Sequence, residues 1–295
     1  MKKNILLTGA SRGIGLLTVK ALALSGHRVY AGIRDLQGRN RDTVKELERW
    51  RIDQDVDVAV DIVVVELDVG SAASVKAAVE ACEATGPIDV LVNNAGVMPV
   101  GLTEAFTEED IARCMDVNFY GAVRCARAVL PAMRERAAGL VINISSTAGR
   151  VAIPNFGVYC ASKWALEAYF ESLSYELEPF GIQSVLLEPG GHATDLAIDP
   201  PPPSDRQCID GYGEYSRGRQ RLLSMFQNSF AEMEEITSAG NVAEKIRMLV
   251  EMEGVRPIRT TVGGDMGVHQ INEKTAPIQA ELIALLGSVI KGENR

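Results

Sequence analysis

The sequence predicts an α/β fold, a doubly wound parallel sheet of about seven strands. Two observations carry this expectation. Short, β-branched, nearly continuously apolar runs alternate with longer stretches whose apolar residues recur at three- and four-residue spacing. Runs apolar at successive positions are what parallel strands covered on both faces require, and the longer stretches have the period of a helix laid on a sheet. In addition, a glycine-rich turn follows the first apolar run and opens the first helical stretch, so the chain begins with a strand, a tight turn and a helix.

Taken in order, Asn4 to Thr8, Arg28 to Gly32, Ile62 to Leu67, Val90 to Asn93, Leu140 to Ser145 and Gln183 to Glu188 read as the first six strands, with a short seventh near Arg259 to Val262. Ile14 to Leu24, Ser74 to Ala84 and Ala161 to Leu177 read as helices between them, and repeated β-α units imply right-handed crossovers. Later helical patterns lie near Arg217 to Glu235, Val242 to Glu253 and Ala276 to Ile290. Asp53 to Asp61 alternates acidic and apolar residues and reads as an extended strand edge with a solvated face. Residues 191 to 216 show neither period and contain four consecutive prolines, Pro200 to Pro203, so they read as a shaped loop. With no linker and no repeat, residues 1–295 are expected to form one domain in which 191–235 is an insertion covering a substrate.

Composition narrows the function. Thirty Lys and Arg against 39 Asp and Glu give a formal charge of −9, and no basic run is present, which argues against nucleic-acid binding. No window reaches the roughly 18 apolar residues of a membrane span. Five cysteines without a CxxC pair favour a reducing cytoplasm over a disulfide framework or a zinc site. His27, His192 and His269 lie beside no acidic cluster of ligand spacing, so surface or loop roles are expected, no metal is implied, and Trp50 and Trp164 are expected to pack.

Three features carry chemistry. In Gly9-Ala10-Ser11-Arg12-Gly13-Ile14-Gly15, glycines let the backbone turn tightly and approach a pyrophosphate, whose charge the free N–H groups of a helix N-terminus can hold. Tyr159 and Lys163 are four apart, hence on one helical face, where an ammonium would lower the phenol's pKa toward neutrality for proton exchange with an alcohol or carbonyl. Ser146 ends the fifth strand, where open parallel sheets place their ligands.

These features come with others. TGASRGIG (8 to 15), LDV (67 to 69), NNAG (93 to 96), Asn118 of VNFYG, ISSTAG (144 to 149), YCASK (159 to 163) and PGGHAT (189 to 194) together resemble the short-chain dehydrogenase/reductase family, in its order and approximate spacing. The resemblance covers nearly the whole chain. It implies a Rossmann-like fold in which Ser146 orients a carbonyl, Tyr159 is the acid/base, Lys163 binds the nicotinamide ribose and tunes Tyr159, and Asn118 holds a water that links Lys163 to solvent. Ser146 is chosen over Ser145 because its spacing to Gly149 and Tyr159 fits the family better.

The resemblance also implies a cofactor site of Gly9, Ser11, Arg12, Gly13, Ile14 and Gly15 at the turn, Asp68 and Val69 at the adenine, Asn94, Ala95 and Gly96 near the ribose, and Pro189, Gly190 and Thr194 at the nicotinamide end. NADP is expected rather than NAD. The position where NAD enzymes of this fold carry an acid aligns with Ile33, and Arg34 follows, able to join Arg12 on a 2′-phosphate, although a one-residue shift would put an acid, Asp35, near that site. The implied reaction is reduction of a ketone or aldehyde, or oxidation of a secondary alcohol, on a bulky apolar small molecule, by a homodimer or homotetramer. Competing readings are an NADP-sensing regulator, which usually lacks the Tyr or Lys, and an epimerase or dehydratase, which resembles TGxxGxxG and carries a larger C-terminal domain.

Overall fold

In the computed structural model, residues 1–54 and 60–290 are described. The sheet has seven strands, β1 (Asn4–Thr8), β2 (Arg28–Ile33), β3 (Asp61–Glu66), β4 (Val90–Asn93), β5 (Gly139–Ile144), β6 (Ile182–Pro189) and β7 (Arg259–Val262), in the order β3-β2-β1-β4-β5-β6-β7. All neighbours are parallel, with Ile5 against both Val29 and Val90 at the centre. Winding runs outward from β1 in one direction and from β4 in the other, so the crevice between their carboxyl ends is the switch point where such sheets take ligands.

The helices are α1 (Gly13–Leu24), α2 (Arg41–Ile52), α3 (Ala72–Glu83), α4 (Glu108–Met115), α5 (Gly121–Glu135), α6 (Gly157–Leu177), α7 (Asp195–Ile198), α8 (Arg206–Gly211), α9 (Gly218–Glu232), α10 (Glu234–Thr237), α11 (Ala239–Glu251) and α12 (Val268–Ile290). Alternate residues of each strand feed two cores. Ile5, Leu7, Val29, Val92 and Ile142 pack with Val19 and Leu22 of α1, Leu47 of α2 and Val242 and Ile246 of α11. On the other face Leu6, Tyr30, Leu91 and Val141 pack with Val79 of α3, Val129 of α5 and Leu166 and Phe170 of α6. This double coverage is why the strands read as continuous apolar runs.

Several expectations need correction. Of the acidic alternation Asp53 to Asp61, residues 55–59 lie outside the described residues, and Asp61 begins β3. Residues 191 to 216 are not an irregular loop: they hold α7, α8 and the start of a 3₁₀ turn, Gly213–Arg217, each too short for a helical period to show. The last helix starts at Val268, not Ala276, and carries Pro277 inside it. Trp164 is 48% exposed and not packed, whereas Trp50 does pack against the first core. His27 and His192 lie in loops, as expected, but are buried: His27 accepts from the Lys3 amide at 3.2 Å, and His192 Nδ1 lies 3.0 Å from the Gly190 carbonyl. Burial lowers the pKa of both rings.

The proline run is fastened to the body. Pro201 accepts from the Val100 amide at 3.0 Å, Arg219 of α9 donates to the carbonyls of Val100 and Pro200, and Asp110 accepts from both the amide and the hydroxyl of Ser204. This segment and α9 therefore form a fixed wall beside the crevice.

Candidate active site

The glycine turn leaves β1 through Gly9, at φ +68°, and enters α1 at Gly13, at φ +53°. A Cβ on Gly9 would lie 2.8 Å from Ala95 Cα, and one on Gly15 would lie 2.2 Å from the Gly9 carbonyl oxygen, so both positions require glycine. Asn94 braces the turn from below: its Nδ2 donates to the carbonyls of Thr8 and Gly9 at 2.9 and 3.1 Å. Thr8 Oγ1 accepts from the amides of Asn94 and Ala95, both at 3.0 Å, and so locks β1 to β4 at the crevice. Thr8 stands in the TG motif but was not singled out as a site residue. The chain after Gly190 crosses this turn, where a Cβ on Gly13 would lie 3.6 Å from Thr194 Cβ, and Arg12 Nη1 is 4.0 Å from the Asp195 carboxylate.

At the end of β2, Ile33 is buried and Arg34 is exposed. Asp35, at φ +52°, turns its carboxylate into its own loop and accepts from the Arg39 amide at 3.0 Å. Glu66, which the sequence reading passed over, accepts from the amides of Asp35 and Leu36 at 2.6 and 3.0 Å and sets this turn. Asp68 closes the next loop, its Oδ1 accepting from the Gly70 amide at 3.0 Å, and Val69 is buried beside Gly121.

Across the crevice, α6 presents Tyr159 and, one turn on, Lys163, both buried. Lys163 Nζ donates to the Ile144 carbonyl at 2.7 Å and sits 5.8 Å from the Tyr159 ring centre. Ser146 caps the 3₁₀ turn Thr147–Gly149, accepting from the Ala148 amide at 3.1 Å, and its hydroxyl acts on the Tyr159 phenol. Ser145 instead gives its amide to Leu187 and points away into the protein. Asn118 lies on a π-helical turn, Asp116–Tyr120, whose extra residue turns its amide inward. There it brackets Val97, accepting from its amide and donating to its carbonyl at 2.8 Å each, and donates to Ser162 Oγ at 2.9 Å.

Burial controls the electrostatics. It pushes the Lys163 ammonium down to about 8, against the opposing pull of Cys114 and Glu167. It also pushes the Tyr159 phenol above its ordinary value, with the Ser146 hydroxyl working the other way. Desolvation of the phenolate thus works against the lowering expected of an acid/base phenol, and the Ser146 hydroxyl works toward it.

Asn118 and Lys163 thus meet beside Gly96, with Tyr159 one turn before Lys163 and Ser146 after the end of β5, while Arg34 and Asp68 follow the carboxyl ends of β2 and β3. Residues 3–202 match the family of short chain dehydrogenases. The chain belongs to that family. A 3-ketodihydrosphingosine reductase from Bacteroides thetaiotaomicron is 39% identical over 191 residues, which is 64% of this chain and 64% of that relative's length. A short-chain dehydrogenase from Streptomyces avermitilis has a similar structure, with 29% identity and a TM-score of 0.75 over 99% of this chain and 98% of that one. An actinorhodin polyketide ketoreductase solved with NADPH is similar at 29% identity and a TM-score of 0.71, covering 90% of this chain and 97% of the other. Relatives of this family are oxidoreductases acting on CH–OH and C=O groups.

Proposed function

We propose that the protein transfers a hydride between NADP(H) and a ketone, aldehyde or secondary alcohol carried on a bulky apolar molecule. The observation that carries this reading is the placement of Ser146, Tyr159 and Lys163 against the carboxyl end of β5, across the switch-point crevice from the glycine turn. The residues fit a nicotinamide dinucleotide: Gly9 and Gly15 let the turn close directly onto Ala95 and Asn94 and so open α1 beside the crevice, and a Cβ on Gly96 would lie 4.0 Å from Lys163 Nζ, on the floor where a ribose would rest. Ser11, Arg12, Gly13 and Ile14 offer the α1 N-terminus to a pyrophosphate. Asp68 and Val69 border the adenine, Asn94 and Ala95 shape the ribose floor, and Pro189, Gly190 and Thr194 border the nicotinamide.

When bound, the nicotinamide supplies or accepts the hydride. In reduction, Ser146 Oγ and Tyr159 Oη donate hydrogen bonds to the substrate oxygen as negative charge grows there, and Tyr159 delivers its proton. Ser146 orients the carbonyl and Lys163 holds a positive charge beneath the ribose and phenol. Asn118, by fixing Val97 and Ser162, keeps the approach to Lys163 open for a water that relays the proton.

Arg34 and Arg12 favour NADP, since two guanidinium groups can meet a 2′-phosphate, and Asp35 spends its carboxylate within its own loop. The apolar wall of Val100, Ala148, Phe156 and Cys160, with Met98, Ile153, Leu222, Leu223 and Phe226 against it, offers a bulky substrate no charged partner. We read residues 1–295 as one catalytic domain that works as a homo-oligomer, with 191–235 as the substrate cover. A panel of ketones, aldehydes and alcohols, followed by nicotinamide absorbance, tests the reading. NADPH-dependent turnover of bulky apolar carbonyls is the expected result, and no turnover of any carbonyl or alcohol with either cofactor would end it.

A further inference from the structure

Behind Lys163, away from the crevice, five charged side chains from distant parts of the chain share one buried cluster. Glu167, on α6 one turn beyond Lys163, accepts from Arg259 Nε at 2.9 Å. Arg259, on β7, gives its other two nitrogens to Glu171 at 2.9 and 2.6 Å and lies 3.5 Å from Glu188. Glu188, fully buried on β6, accepts from Asn272 of α12 at 2.6 Å and lies 4.0 Å from Arg150. Three carboxylates face two guanidinium groups here, and buried charges are costly unless matched.

Glu167 also reaches the strand end that carries Ser146. Glu167 Oε1 and Ser145 Oγ are both buried, and neither has a hydrogen-bond partner among the described residues. The two meet at Gly149, where a Cβ would lie 2.8 Å from Ser145 Oγ, 3.0 Å from Glu167 Cγ and 3.3 Å from the Lys163 carbonyl. The glycine of the ISSTAG segment is thus the gap that lets α6 close onto the end of β5.

We propose that Glu167 is a positioning residue of this site, fixing Ser145 and through it the adjoining Ser146, and standing as the counter-charge behind the Lys163 ammonium. The inference rests on the reading of Ser146 and Lys163 as site groups. The groups that bear on Glu167 are Arg150 and Ser145 from the end of β5 and the loop after it, Glu171 from α6, Glu188 from β6 and Arg259 from β7. On the other side of Lys163 stands the Cys114 thiol of α4, whose pKa burial raises; burial raises that of Glu167 as well, with Arg259, Ser145 and Arg150 pulling it back.

The test is a carbon-13 NMR titration of lysine side chains in the full-length protein, with the Lys163 signal assigned by its loss in Lys163→Arg, alongside kcat and KM for NADPH-dependent reduction. Glu167→Gln should lower the Lys163 midpoint by about one pH unit, the loss expected when an adjacent opposite charge is removed. The basic limb of the rate profile should move with it, and kcat should fall more than KM changes. A folded Glu167→Gln protein with the parent midpoint overturns the proposal. Should the glutamine form not fold, Glu167→Asp decides: it keeps the charge but withdraws from Ser145, so a kept midpoint with lowered kcat supports the proposal and parent kcat overturns it. Parent turnover in Lys163→Ala would refute the reading of the site itself, whereas the NMR midpoint judges Glu167 independently of turnover.

Discussion

Lys163 donates its ammonium to the carbonyl oxygen of Ile144 at 2.7 Å, tying the middle of α6 to the last residue of β5. One bond therefore sets the distance between the helix that carries Tyr159 and the strand end that leads to Ser146. It also holds a cation where burial lowers its pKa.

That cation should cost stability. The Lys163 pKa falls to about 8 in the folded protein from an ordinary value of 10.5, so folding releases its proton between those values. The burial penalty is present in full below pH 8 and fades as pH rises from about 8 toward 10.5. Lys163→Met removes this penalty together with the bond to Ile144 and the partner of Glu167, so its stability relative to the parent should be highest at pH 7 and fall toward pH 10. Urea unfolding at the two pH values checks the trend.

Arg34→Ala should weaken NADPH binding by about 10- to 150-fold and leave NADH nearly unchanged, because a charged hydrogen bond contributes roughly 1.5–3 kcal/mol. Titration by cofactor fluorescence reads this directly. Equal losses for both cofactors would remove the 2′-phosphate assignment.

Gly9→Ala should both destabilise the fold and abolish cofactor binding. The φ of +68° strains an alanine, and its Cβ would press to 2.8 Å from Ala95 Cα. The combined cost should exceed about 2 kcal/mol. Thermal melting with and without NADPH would show it, as a lowered Tm that no longer rises with ligand.

The sheet was legible because its strands are apolar on both faces, and the site because each of its motifs sits at a strand end. Other parts were hidden for physical reasons. Arg41–Ile52 fully buries only Leu47, with Val44 and Trp50 partly buried beside it, so a narrow apolar stripe is all that marks this helix in a charged segment. Helices of four to six residues, such as Asp195–Ile198 and Arg206–Gly211, complete too few turns to show one. Trp164 follows Lys163 directly and so leaves the buried face of α6. The cluster of Arg150, Glu167, Glu188 and Arg259 is assembled by tertiary packing alone, although the four-residue step from Lys163 to Glu167 placed both on one face.

The cover over the crevice should respond in parts. Hydrogen bonds from the amides of Val100, Ser204 and Asp205 to Pro201, Asp110 and Ala105 already fasten the proline segment, so those three amides should be protected from hydrogen exchange without ligand. The stretch from Gly191 to Ile198, which crosses the glycine turn at Thr194, should gain protection on addition of NADPH and again with an unreactive ketone analogue. Equal exchange of that stretch in all three states would make it a static wall.

The central claim is that the buried Tyr159 phenol transfers the proton. The most direct measurement is Tyr159→Phe, assayed for NADPH binding and for turnover of a carbonyl substrate in the same preparation. The substitution removes the transferable proton and keeps the ring against Phe156. General acid catalysis contributes a factor of about 100 to 10,000, so turnover should fall at least that far while NADPH affinity stays at the parent value. Turnover at the parent rate in Tyr159→Phe would contradict the assignment of the proton and, with it, the mechanism built on this site.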